Sequence, residues 1–262
     1  KDLRDYTSYI EDLGEQAENP ETHTLDAADY DPDSAKDITL DEDEEGSYVT
    51  TTDKSYVEWP FEVETSGLYS VKITYLPIEG KNADIERALT VNGEVPFKEA
   101  QYLNFSRIWT NEQTEETGPN GIKQDPRGND VKPRQIEVPQ WRETYVRDSY
   151  GYYQEPLLFY FEKGKNTLGF EGVRESMGIR NIVIGEAENI PSYDAYLQKL
   201  DEEGIAPTYK LKDNIVIQGE DARLKSHSTL YPVSDRSSPR TVPYDASKLR
   251  LNTIGGYNWR QS

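Results

Sequence analysis

Between residues 102 and 153 the chain gathers aromatic rings and planar hydrogen-bonding groups. Tyr102, Phe105, Trp109, Trp141, Tyr145, Tyr150, Tyr152 and Tyr153 fall there, beside Arg107, Asp125, Arg127, Asn129 and Arg134. Aromatic faces stack on the apolar face of a pyranose, and Asp, Asn and Arg bond its hydroxyls. The candidate ligand-contacting set is Trp109, Trp141, Tyr150, Tyr152, Tyr153, Arg107, Arg127, Asn129 and Arg134. The competing reading makes the Trp and several of the Tyr core or loop anchors, with hydroxyls satisfied at the rim. Trp59, at the head of an alternating run, reads as core.

Other chemistry is thinly supplied. His23 and His227 are the only histidines, and both sit in polar stretches that read as exposed, so a histidine triad or metal site has little to build on. Glu137, Glu143, Asp148 and Glu155 lie among the aromatics and are the candidates for paired-carboxylate glycoside chemistry. Among 49 Asp and Glu, however, some pair lies close in any fold. No P-loop and no G-x-G-x-x-G follows a strand pattern. A non-catalytic chain is the expectation. No cofactor is expected either. The run Asp41-Glu42-Asp43-Glu44-Glu45 could offer a structural Ca²⁺ its oxygen ligands, but it lacks the spaced ligands and internal glycine of an EF-hand loop, and a solvated acidic turn is the plainer reading.

Composition narrows the partners. The 262 residues carry a net charge of −20, which leaves no basic face for nucleic acid. Residues 1–50 hold 17 acids against 3 bases, whereas residues 205–262 hold 5 acids against 9 bases, so the two ends differ in kind. An acidic surface repels anionic polymers, so a neutral glycan is the expected ligand class. There is no Cys, which excludes disulfides and thiolate chemistry and fits a Gram-positive exterior as well as a cytoplasm. No apolar run approaches the ~18–20 residues of a membrane span. No secretory leader heads the sequence, as expected of a cytosolic chain or a mature, trimmed one.

The elements that must position these residues are strands. Only 34% of residues are hydrophobic, but 19 Tyr and 4 Trp supply burial capacity. Phe61 and Val63 alternate with Glu62 and Glu64; after Gly67, Tyr69, Val71, Ile73 and Tyr75 share a face. This reads as an antiparallel hairpin with one buried side. Ala88–Phe97 reads as a second hairpin around Asn92-Gly93, with the positive φ of a type I′ turn. Pro156–Phe161 reads as a central strand that turns at 162–166 and returns through Thr167–Glu171; Arg180–Ile184 is a further strand. Residues 2–18 read as an amphipathic helix with Leu3, Tyr6, Ile10 and Leu13 on one face, ended by Pro20. Residues 192–201 read as a helix capped by Ser192. The polar stretch from Thr110 to Pro133 is long for a compact domain, and such loops are functional or mobile.

Many short strands with frequent turns imply a mainly β fold, an antiparallel jelly-roll β-sandwich with a short N-terminal helix and a helix after the sandwich. The pattern Glu58-Trp59-x-Phe61-x-Val63-x-x-x-Gly67-x-Tyr69-x-Val71-x-Ile73 resembles the galactose-binding-domain-like jelly roll of carbohydrate-binding modules, as does Lys163-Gly164-x-Asn166-x-Leu168. A narrower group is similar as well: the N-terminal β-sandwich regions of Firmicutes extracellular solute-binding lipoproteins linked to sugar ABC transporters. Its residues are Ile85-Glu86-Arg87, Val91-Asn92-Gly93, Pro96-Phe97, Arg107-Ile108-Trp109, Gly128-Asn129, Pro133-Arg134-Gln135-x-Glu137, Trp141 and Gly151-Tyr152-Tyr153, with Gly219-Glu220-x-Ala222, Lys225-Ser226 and Asn252-Thr253-Ile254-Gly255-Gly256 in the tail. The resemblance implies an extracellular, cell-surface, carbohydrate-binding module of a longer chain; the alternating βα units of a periplasmic-binding-protein fold are absent. A structural spacer or protein-interaction domain is the alternative, and a glycoside-active enzyme domain the least favoured. The expected organisation is a helical, acidic arm over 1–35, the sandwich over 36–190, a helix and linker over 191–212, and the start of a truncated second β module over 213–262.

Overall fold

The computed structural model describes residues 2–15, 21–112, 121–185, 190–205 and 215–256. They divide into two units. The first comprises residues 1–110, 135–187 and 224–228, and the second the remainder.

The first unit is an antiparallel β-sandwich. Helix α1 (Tyr6–Leu13) is followed by strands β1 (His23–Asp26), β2 (Lys36–Asp43), β3 (Gly46–Val63), β4 (Gly67–Pro77), β5 (Ile85–Val91), β6 (Leu103–Phe105), β7 (Trp109–Asn111), β8 (Gln135–Glu137), β9 (Arg142–Tyr145), β10 (Leu158–Phe161), β11 (Gly164–Arg174) and β12 (Met177–Gly185). The main hydrogen-bonded path runs β10-β4-β12-β3-β11-β5-β6, with β1 on β12, β2 on β3 and β9 on β4. The path closes over its own core. Tyr75 of β4 meets Phe105 of β6 at 5.2 Å between ring centroids, although four strands separate them along the path. β3 serves both ends of the path: Val49–Thr51 pairs with β12, and Tyr56–Val63 pairs with β11. Aromatic rings fill the interior, among them Trp59, Tyr69, Phe97, Phe159, Phe161 and Phe170. Each removes a large apolar surface from water, worth roughly 1.5–3 kcal/mol. The low aliphatic content is thereby offset. No helix among the described residues is long and apolar enough to cross a membrane.

Several expectations change here. Trp59–Val63 and Gly67–Tyr75 are strands with the expected buried faces, but they are not a hairpin, because β12 lies between them. Period-two alternation reveals which face is buried and says nothing about which strand is the neighbour. The 158–171 hairpin is likewise a crossing. β10 pairs with β4, and β11 pairs with β3 and β5. Gly164, at φ +106°, lies at the crossing, and the Asn166 amide donates to the Glu162 and Gly164 carbonyls at 2.8 and 3.0 Å. β10 is therefore terminal rather than central. Its free edge is covered by α1: the amides of Leu158 and Tyr160 donate to the hydroxyls of Tyr6 (3.0 Å) and Tyr9 (2.8 Å). The Asn92-Gly93 turn has the expected positive φ at both positions, closed by reciprocal bonds between Val91 and Glu94, but no strand continues beyond it.

The described part of residues 1–35 belongs to the first unit and is not a separate arm. Asp5 caps α1 through the Ser8 amide (2.8 Å), Gly14 ends it, Tyr9 sits in the core, and β1 pairs with β12. Residues 16–18 of the expected helix, and Pro20, lie outside the described residues.

In the second unit, α2 (Tyr193–Glu202) is capped by Ser192 as expected. β13 (Tyr231–Val233) and β14 (Thr253–Gly255) form a two-stranded antiparallel pair. Ile215, Val216 and Ile217 are exposed and join no ladder, so the expected opening of a second module there is not a strand. Instead the 125–130 turn clasps the tail. Asp130 Oδ2 accepts the Leu251 amide at 2.9 Å, and Asp130 Oδ1 meets Arg250 at 3.0 Å.

Candidate binding site

The loop that carries Tyr150 and Tyr152 is organised by one buried carboxylate. Asp148 accepts the amides of Tyr150 (3.1 Å, Oδ1), Tyr152 (2.6 Å, Oδ2) and Tyr153 (3.2 Å, Oδ2). Gly151, at φ +73°, supplies the left-handed position that lets these amides converge. The loop ends are held by the Val146 amide on the Val71 carbonyl and the Leu157 amide on the Val146 carbonyl. So folded, the loop turns Tyr150 and Tyr152 outward, 69% and 82% exposed, with ring centroids 6.4 Å apart and planes inclined by 35°. Tyr153 points the other way. Its ring meets Tyr6 edge-on at 4.9 Å and its hydroxyl lies 2.8 Å from Thr7 Oγ1.

The two exposed rings line an open cleft of about 600 Å³ with Asp2, Leu3, Lys98, Glu99, Gln101 and Tyr102. The 98–101 wall is a short 3₁₀ turn anchored by buried Ala100, beside buried Phe97. The chain after Asp2 and Leu3 is tied to this turn by one main-chain bond, from the Lys98 amide to the Arg4 carbonyl, and one side-chain bond, from the Tyr6 amide to Glu99 Oε2, both at 2.9 Å. Ring faces, a carboxamide, carboxylates and an ammonium thus converge on one surface. That combination can stack on a saccharide and bond its hydroxyls.

The other sequence-derived candidates sit elsewhere. Trp109 is only 5% exposed, and its amide and carbonyl both bond Lys225 at 2.8 Å, so its ring offers no stacking face. Arg107 is buried. It donates to the carbonyls of Ala83 and Ile78 and to Glu137 and Glu175, which leaves it a structural cation rather than a ligand contact. Trp141 has the Arg180 guanidinium 3.8 Å from its ring centroid, Tyr48 against its edge, and Nε1 donating to Asp43 at 3.0 Å. Arg127, Asn129 and Arg134 belong to the second unit. There the Arg127 carbonyl accepts from Lys248, Asn129 Oδ1 accepts the Leu249 amide, and the Arg134 carbonyl accepts the Glu112 amide.

The carboxylates offered for acid–base work are also engaged. Glu137 pairs with Arg107, Glu143 with Lys72 at 2.9 Å, and Asp148 with its loop amides, while Glu155 is exposed. In the acidic run at the β2–β3 turn, Asp43 and Glu45 grip Arg180, and Asp41 accepts from Thr39 and Thr50. Among the described residues no group of three or more His, Asp or Glu could hold a metal ion. His23 is half-buried, with Nε2 2.7 Å from Glu21, and His227 is half-buried, where both were expected to be exposed.

Sequence reasoning named Tyr150 and Tyr152 but missed Asp2, Leu3, Lys98, Glu99, Gln101 and the part played by Tyr102. These lie in two segments, 2–3 and 98–102, both far along the chain from the tyrosine loop. The Gly151 turn and the nearby Asp148 were the local signal.

No protein-family model and no curated protein matches the chain. Among solved structures, the chain is similar to a family 35 carbohydrate-binding module from Clostridium thermocellum, at 15% identity and a TM-score of 0.36, over 64% of this chain and 99% of that one. It is similar to CBM35 from Paenibacillus barcinonensis, at 17% identity and a TM-score of 0.35, over 63% and 97% of the two chains. It is also similar to the GH26-CBM35 β-(1,4)-mannanase of Podospora anserina, at 14% identity and a TM-score of 0.38, over 67% of this chain and 30% of that enzyme.

Proposed function

We propose that the first unit is a non-catalytic carbohydrate-binding module whose ligand lies on Tyr150 and Tyr152, with Tyr102 and the 98–101 turn beside them. The observation that carries this reading is the pair of adjacent tyrosine faces held out in solvent by a buried Asp148 network. Large exposed aromatic surface is costly to leave unused, and a rigid loop keeps it presented at little entropic expense. Engagement of Glu137, Glu143 and Asp148 in ion pairs and loop bonds supports binding without catalysis. The sequence resemblance to surface regions of sugar-transport lipoproteins supports an extracellular setting, in a longer bacterial surface protein associated with sugar uptake.

Glycan-array screening followed by calorimetry tests the reading. Tyr150→Ala and Tyr152→Ala should each weaken glycan binding about tenfold while leaving the melting temperature in place. Absence of binding across oligosaccharides would sink the reading and leave a spacer or protein-interaction role. Turnover of chromogenic glycosides would overturn the non-catalytic part.

A further inference from the structure

The cleft has a sign as well as a shape. Among the described residues its charged wall positions are Asp2, Glu99 and Lys98, two carboxylates to one cation. Of the cations near it, Arg4 is drawn to Asp12 at 2.7 Å and lies over the Tyr9 ring at 4.9 Å, and Arg147 of the tyrosine loop donates to the Gln154 carbonyl at 2.8 Å. Beneath the tyrosine loop the Asp148 carboxylate is met by backbone amides. These bonds satisfy its oxygens without cancelling its charge. Three tyrosine rings complete the surface, and the face of an aromatic ring carries the negative side of its quadrupole. The chain as a whole carries −20, which raises the local concentration of cations at any such cleft.

We propose that this cleft, on the reading that it binds saccharides, prefers an amine-bearing sugar whose free ammonium sits over the tyrosine faces between Asp2 and Glu99. Uncharged sugars stack on the same rings without the charge contact, and uronic acids are disfavoured. This sharpens the ligand class from a neutral glycan to a cationic one.

The test is calorimetric titration of the intact chain, at mildly acidic pH and low salt, with three trisaccharides: glucosamine with free amines, its N-acetylated form, and galacturonate. The free-amine form should bind about threefold or more tighter than the N-acetylated form, as expected for a cation over partly exposed rings. Galacturonate should bind weakest. Salt should shrink the preference, since exposed charges are screened. The double variant Asp2→Asn, Glu99→Gln should bring the ratio of the two affinities toward one. The carboxamide introduced by Glu99→Gln keeps an oxygen for the Tyr6 amide, and circular dichroism checks the fold. Neutral or uronate ligands binding as tightly as the amine form would overturn this inference and leave the carbohydrate reading standing. Amine binding that survives unchanged in the double variant and in Tyr150→Ala would place the cation elsewhere on the acidic surface, and would also overturn it. If none of the three binds, this inference falls, and the carbohydrate reading is decided by the glycan array.

Discussion

Arg107 Nη1 donates to Glu137 Oε1 at 2.8 Å, and both side chains are buried. The same guanidinium reaches Glu175 Oε2 at 3.1 Å and the carbonyls of Ile78 and Ala83 at 2.6 and 2.8 Å, so it ties three separate segments. Gly80 makes room for it: a Cβ there would lie 1.8 Å from Glu175 Oε2. Arg107→Met should destabilise the chain by about 3–5 kcal/mol, because two buried carboxylates lose their cation. Adding Glu137→Gln and Glu175→Gln should recover part of that loss in urea denaturation. Equal stability of the single and triple variants would show that buried charge is not the cause.

The Tyr6 and Tyr9 hydroxyls close the edge of β10. Tyr9→Phe should cost about 1–2 kcal/mol by stranding the Tyr160 amide, and Tyr6→Phe less, since Tyr6 is only half-buried. The double variant should speed hydrogen exchange at Leu158 and Tyr160 before it affects the β3–β11 ladder. Unchanged exchange at those two amides would show that the helix does not guard the edge.

Asp148 holds the tyrosine loop. Asp148→Ala removes one charged acceptor from three amides and should cost about 2–3 kcal/mol, with sugar binding lost along with the loop geometry. Asp148→Asn, which keeps one oxygen, should fall between. Tyr150 and Tyr152 ring resonances that stay put in the alanine variant would contradict the assignment.

Alkaline stability should depend on Tyr69. Burial, with the Glu21 carboxylate beside it, pushes its hydroxyl up to about 12 from the ordinary 10.0. Between these values the unfolded chain has released the proton and the folded chain has not. Stability is therefore fully present below the ordinary value and is lost as pH rises toward the folded one. Urea midpoints should fall over this window, and Tyr69→Phe should flatten the fall relative to the parent. On the acid side, the Glu64 amide, together with His23 and Tyr69, holds Glu21 below its ordinary 4.5. Its contribution is present above that value and lost as pH drops through the folded one. An identical alkaline slope in the Tyr69→Phe variant would remove the assignment.

The motifs that carried the family resemblance are mostly structural. Arg87, in Ile85-Glu86-Arg87, is fully buried and donates to Thr51, to the Glu86 carbonyl and to the Arg174 carbonyl. Arg107 and Glu137, taken from two further motifs, are partners of each other. Gly128 and Asn129 hold the 248–250 segment. Such residues mark a fold because the fold depends on them. Of the nine candidate binding residues, Tyr150 and Tyr152 stand in the cleft, since rings that are not needed for packing are the ones left in solvent.

What the sequence determined by itself is local. Alternation in Tyr69-Ser70-Val71-Lys72-Ile73-Thr74-Tyr75 identified a strand and its buried face, because side chains on a strand point to opposite sides in turn. Asn92-Gly93 identified its turn, because that turn requires positive φ at both positions. Asp5 and Ser192 are caps legible from their side-chain oxygens. The tertiary structure alone decided which strands are neighbours, since β12 can separate β3 from β4 without altering either pattern. It alone decided which aromatics are swallowed: Trp109 and Tyr152 are equally aromatic, and only the surrounding fold buries one and exposes the other. It also brought Asp2, Glu99 and Tyr150 to one cleft, a meeting that no spacing along the chain encodes.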